Sequence, residues 1–155
     1  MNGESAYAGR RPGGPVSTEV NKAVARRLYE EVITQGRSEL LAEIVAADAV
    51  DETRAAPGRE AFHEHVRWIS AAVEQPRATV TDIVAEGDRV VVFWKLEGVQ
   101  RGALFGMPPS GRAFAGQSVS LITFRDGQIV RYSVLADRLG FIEQLGGVGR
   151  LGNQT

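Results

Sequence analysis

The sequence predicts an α+β fold in which three N-terminal helices pack against a curved, mostly antiparallel sheet that forms a cone. Two periodicities carry this expectation. Apolar residues recur every three to four positions through the first half, and from Ala78 the period changes to two across four β-branched runs. A third observation is that these runs follow one another with short turn signals between them, so neighbouring strands pair directly without helical crossovers.

Taken in order, Val20, Val24, Leu28 and Val32 predict an amphipathic helix over Thr18 to Gln35, capped by Ser17 or Thr18 and closed by Gly36. Ser38 caps a second, short helix with Leu40, Leu41, Ile44 and Val45 on its apolar side, before a polar break around Asp48 and Asp51. After Pro57-Gly58, the stripe Phe62, Val66, Ile69, Val73 predicts a third helix ending near Gln75-Pro76. Four strands follow at Thr79 to Val84, Val90 to Leu96, Ser118 to Thr123 and Ile129 to Val134. Glu86-Gly87-Asp88 and Asp126-Gly127 mark hairpins, and Pro108-Pro109-Ser110-Gly111 marks a longer turn.

At 155 residues, with 43% hydrophobic and 24% charged side chains, the chain suits one domain with a sizeable core. Its 18 Lys and Arg against 19 Asp and Glu give no field for steering toward nucleic acid. Zero cysteines exclude disulfides, thiolate nucleophiles and cysteine-held metals, and no run reaches the roughly 18 apolar residues of a membrane span. The cytoplasm is the expected setting, with no nucleic acid and no membrane as partner. Residues 1–16 read as a flexible Gly/Pro-rich arm, 17–146 as the domain and 147–155 as a flexible tail.

Four segments carry a resemblance: Ala85-Glu86-Gly87-Asp88-Arg89-Val90, Gly106-Met107-Pro108-Pro109-Ser110-Gly111-Arg112, Phe124-Arg125-Asp126-Gly127-Gln128-Ile129-Val130, and Asp137-Arg138-Leu139-Gly140 with Gln144-Leu145-Gly146. In this order they resemble the SnoaL-like polyketide cyclases of the nuclear-transport-factor-two-like superfamily. The resemblance implies a cone-shaped α+β barrel with one mostly apolar pocket, commonly a homodimer packed through the sheet, and no cofactor. It further implies a cyclase or isomerase that closes a ring in a polyketide-type secondary metabolite, as in antibiotic biosynthesis. In the family member that names it, the closure is an intramolecular aldol reaction using an aspartate near the start of the C-terminal segment, and Asp137 stands at the matching position. The chain departs from the pattern where relatives carry Gly-Thr-His, having Gly98-Val99-Gln100, and where they carry Glu-His-Trp, having Arg131-Tyr132-Ser133.

Beside the apolar Val134-Leu135, Asp137 is expected to be a desolvated acid/base with a raised pKa, or else a cap for the Arg138 to Gln144 helix. Of the two histidines, His65 flanks the apolar stripe of its helix and is the catalytic candidate, whereas His63 lies on the polar side. Their spacing of two suits no metal. Tyr132 and Gln117 sit on otherwise apolar strand faces and could orient a substrate oxygen. Trp68, Trp94, Tyr29 and Phe114 are candidate walls for a flat substrate. Lys95 and Glu97 share a strand face and, with Asp137, loosely match an epoxide-opening triad. The other open readings are a shape-driven, pericyclic closure and a non-catalytic binding protein of the same fold.

Overall fold

The computed structural model describes residues 15–147, with side chains from Thr18 onward. The expected N-terminal arm and C-terminal tail lie outside these residues apart from Pro15, Val16 and Gly147. Helix α1 spans Pro15–Arg27 and continues into a wider π-helical stretch over Leu28–Thr34. Ala25, Leu28, Tyr29 and Val32 are buried along it, but Val20, assigned to the same stripe from its spacing, is exposed. A 3-10 turn at Ser38–Leu40 leads into the single turn α2, Leu41–Ile44. Helix α3, Arg59–Ala72, buries Ala61, Phe62, Ile69 and Ala72. It ends earlier than its apolar spacing suggests, because Val73 already adopts extended backbone and starts the next strand. A short helix α4, Arg138–Gln144, closes the described fold.

The sheet has five strands among the described residues: β1 Val45–Asp51, β2 Val73–Glu86, β3 Arg89–Gln100, β4 Ala113–Arg125 and β5 Gln128–Ala136. Their order is β1-β5-β4-β3-β2, so the sheet is curved but its two edges do not meet. Strands β2 to β5 form the expected antiparallel meander. Strand β1 is an addition to it, paired parallel to β5 with Asp51 opposite Tyr132. The sequence Val-Ala-Ala-Asp-Ala-Val-Asp had read as a polar break because its apolar members are small.

Cross-strand register sorts the side chains into two faces. Val92, Trp94 and Leu96 of β3 align with Ser120, Ser118 and Gly116 of β4, and Ser118 and Ser120 with Ala136 and Val134 of β5. This is the inner, helix-covered face. Phe93, Val119 and Leu135 align on the outer one. Gly116 has no side chain where one would run into the ring of Phe141, so α4 can lie directly on the sheet. Buried Gln100 fixes the long turn after β3. Its amide donates to the carbonyls of Gly102 at 3.0 Å and Met107 at 3.1 Å, and its oxygen accepts from the Ser110 N–H at 3.1 Å and hydroxyl at 2.6 Å. Among the described residues, no helix is long and apolar enough to cross a membrane.

Candidate active site

The inner sheet face, α3, α4 and the turn held by Gln100 enclose a cavity of about 860 Å³. Trp68 and Ile69, Trp94 and Leu96, Leu104 and Phe105, and Phe141 supply apolar wall. Glu52, Thr53, Arg54, His65, Ser118 and Arg138 supply the polar groups. A mostly apolar space of this size with a few convergent polar groups suits an organic molecule of several rings.

At one wall His65 of α3 meets Asp51 at the end of β1, with Nδ1 2.7 Å from Oδ2. The Asp51 side chain is 0% exposed and that of His65 13%. The other carboxylate oxygen accepts from the Thr53 backbone N–H at 2.8 Å and hydroxyl at 2.6 Å. Burial alone pushes the Asp51 carboxyl upward, but the His65 bond, the Thr53 bonds and the attraction of the imidazole outweigh it and hold the group below its ordinary value. Asp51 is therefore an acceptor toward Nδ1, and a tautomer with its proton on Nδ1 leaves the lone pair on Nε2.

Behind this pair, Tyr132 stacks edge-on against His65 with ring centroids 5.7 Å apart. Trp94 Nε1 donates to the Ser120 hydroxyl at 2.9 Å, and Ser120 bonds Tyr132 Oη at 3.1 Å. The Tyr29 hydroxyl is buried beside them without a hydrogen-bond partner. Desolvation pushes the Tyr132 phenol up to about 12 and the Tyr29 phenol well above the usual tyrosine value. Both stay neutral near pH 7, so they offer dipoles and O–H groups but no phenolate base.

The residues singled out from sequence separate into three groups. His65, Trp68 and Trp94 line the cavity. Tyr132, Tyr29 and Phe114 are buried in the layer behind it, Tyr29 against Trp94 at 4.9 Å and Phe114 against Phe141 at 5.5 Å. Lys95, Gln117 and Asp137 line a shallower groove of about 420 Å³ on the outer sheet face, and Lys95 pairs there with Glu97 at 3.1 Å. Asp137 is thus exposed where desolvation was expected. Its Oδ1 accepts from the Gly140 N–H at 3.0 Å as the N-cap of α4.

Glu52, Thr53, Arg54, Ser118 and Arg138 are polar groups of the cavity that sequence reasoning did not single out, and Asp51 is the buried partner of His65 that it also missed. Asp51 lay in the unrecognised strand β1. Its signal was faint: only the last three residues alternate, with Ala49 and Asp51 buried on either side of exposed Val50, whereas Val45 and Ala46 are buried side by side.

A family model described as SnoaL-like polyketide cyclase matches residues 23–145. Aklanonic acid methyl ester cyclase DnrD of Streptomyces peucetius is 31% identical over 137 residues, covering 84% of this chain and 92% of its own. Nogalonic acid methyl ester cyclase of Streptomyces nogalater is 36% identical over 90 residues, 57% of this chain and 67% of its own. Among solved structures, TsrD from Streptomyces laurentii superposes with a TM-score of 0.74 at 25% identity, covering 86% of this chain and 97% of that one. IdmH from Streptomyces antibioticus does so at 0.70 with 31% identity, covering 81% and 98%.

Proposed function

Because the chain belongs to the SnoaL-like polyketide cyclase family, we propose that it closes a ring in a polycyclic keto ester by intramolecular aldol addition, with His65 as the proton-transfer group. The observation that supports this is the Asp51–His65 pair set in the wall of a cavity flanked by Trp68, Trp94 and Phe105. Nε2 of His65 takes the proton from a carbon flanked by carbonyl groups, and the C–H electron pair moves to a carbonyl oxygen as an enolate forms. The enolate carbon then attacks the ketone carbon, and the new alkoxide oxygen takes the proton back from His65. One C–C bond forms, no atom is lost and no redox change occurs, so the steps balance without a cofactor. Such acid–base help contributes about 100-fold to 10,000-fold, and holding both reacting ends in one cavity adds to it.

Asp51 keeps His65 in the correct tautomer, Ser118 faces the substrate, and Tyr132 with Ser120 backs the imidazole. Asp137 supports the site from outside by capping the helix that brings Arg138 and Phe141 to the cavity. Asp137→Ala is expected to lower stability by about 1 kcal/mol while leaving kcat within about fivefold. A loss of about 100-fold in Asp137→Asn with unchanged melting would instead place the acid/base there. The direct test of the function is incubation with aklanonic acid methyl ester or nogalonic acid methyl ester, the substrates in the relatives' names. A ring-closed product of unchanged mass supports the reading, and saturable binding without product makes the chain a binding protein.

We propose further that the chain acts in the cytoplasm as a homodimer, the outer sheet face being the surface that supports pairing. Phe93, Leu121 and Leu135 are exposed there, Leu135 by 78%, forming an apolar strip across three strands. Sedimentation at twice the chain mass, abolished by Leu135→Glu, is the expected result. A wild-type monomer would refute the pairing.

A further inference from the structure

We infer that Arg54 receives the negative oxygen of the substrate, and that the substrate therefore presents an acidic 1,3-dicarbonyl or phenolic unit to the wall beside His65. This deepens the reading of the cavity as a cyclase site and rests on it. Arg54 lies in the turn after β1 and lines the cavity. Its guanidinium carbon sits 4.9 Å over the Trp68 ring, the same ring that His65 meets edge-on at 6.0 Å. The base and the cation thus share one aromatic wall.

The bonding around Arg54 is incomplete. Its Nε is buried with no hydrogen-bond partner, and Nη1 reaches only the adjacent Thr53 carbonyl at 3.3 Å. The neighbouring carboxylates are committed elsewhere: Asp51 to His65 and Thr53, and Glu52 to Arg131 at 2.8 Å. No carboxylate pairs with Arg54 among the described residues. Leaving a buried donor on a charged group unpaired is costly, and a planar guanidinium offers parallel N–H groups to an oxygen anion. Removing a proton from carbon places charge on the carbonyl oxygen, where a fixed cation in an apolar setting stabilises it most. Arg138, over Phe105 at 5.6 Å, adds a second cation to the cavity lining.

The test uses two dyes with the intact protein: alizarin, a dihydroxyanthraquinone whose ionisation changes its colour, and unsubstituted anthraquinone, which cannot ionise. At a pH where free alizarin is neutral, wild-type protein should bind it and shift its spectrum to the ionised form. Arg54→Gln should bind anthraquinone within about twofold of wild type but lose about tenfold or more in alizarin affinity together with the spectral shift. Arg54→Lys should recover part of both. Retention of wild-type alizarin affinity and colour in Arg54→Gln overturns the inference, as does failure of wild-type protein to bind alizarin. If wild type closes the keto ester and Arg54→Gln does so at the same rate, the cyclase reading stands and this inference falls. If the dye ionises through Arg54 while no keto ester is closed, the oxyanion site stands and the cyclase reading falls.

Discussion

His65→Gln is expected to lower kcat for ring closure by about 100-fold or more while KM stays within about threefold. Glutamine keeps a polar group of similar reach at the cavity wall but has no lone-pair nitrogen that can take a proton and return it. Because its amide can still donate to Asp51, stability should fall by only about 1 to 2 kcal/mol. A His65→Gln enzyme with near wild-type kcat would leave shape as the driving force of closure. The check is steady-state turnover beside a melting curve for each variant.

The second large effect is expected from Asp51→Asn, at about 10-fold to 1,000-fold in kcat. An amide at this place can offer its oxygen or its NH₂ to His65, so the imidazole is no longer held with its proton on Nδ1. Asp51 acts only through His65, so a pH profile is needed to separate positioning from structure. The profile of kcat should change shape in the Asn variant, whereas a purely structural loss would scale it evenly. Stability gives an independent sign. The folded-state pKa of Asp51 lies below its unfolded value, so its contribution is present above the ordinary Asp range, about 3.9, and is lost as pH falls through the folded value. Melting temperature of the wild type should therefore drop more steeply in acid than that of Asp51→Asn.

Much of the scaffold was legible from periodicity, because β2 to β5 alternate over long β-branched stretches and α3 carries a clear apolar stripe. His65, Trp68 and Trp94 followed from those patterns, and the structure brings all three to the cavity wall. Alternation could not say which sheet face is inside. Both faces carry large apolar residues, Phe93 and Leu121 on one and Trp94 and Ile122 on the other. Gln117 and Lys95 consequently looked like polar groups facing a pocket, whereas Ser118 and Ser120 face inward. Asp51 and Arg54 escaped notice for a different reason. They belong to a short, small-residue strand and the turn after it, and their partners His65 and Trp68 come from another element through tertiary packing. Asp137 was legible as a cap by its place before Arg138, whereas the resemblance and the apolar Val134-Leu135 beside it suggested a desolvated acid/base.

The account turns on where the proton moves, and single-turnover closure of aklanonic acid methyl ester measures this most directly. With enzyme in excess, product release drops out and the rate reports the chemical step. The account predicts closure by the wild type and, within about fivefold, by Asp137→Asn, with His65→Gln slower by about 100-fold or more. Closure by His65→Gln at the wild-type rate, with Asp137→Asn inactive, would contradict it and move the acid–base group to the outer end of β5.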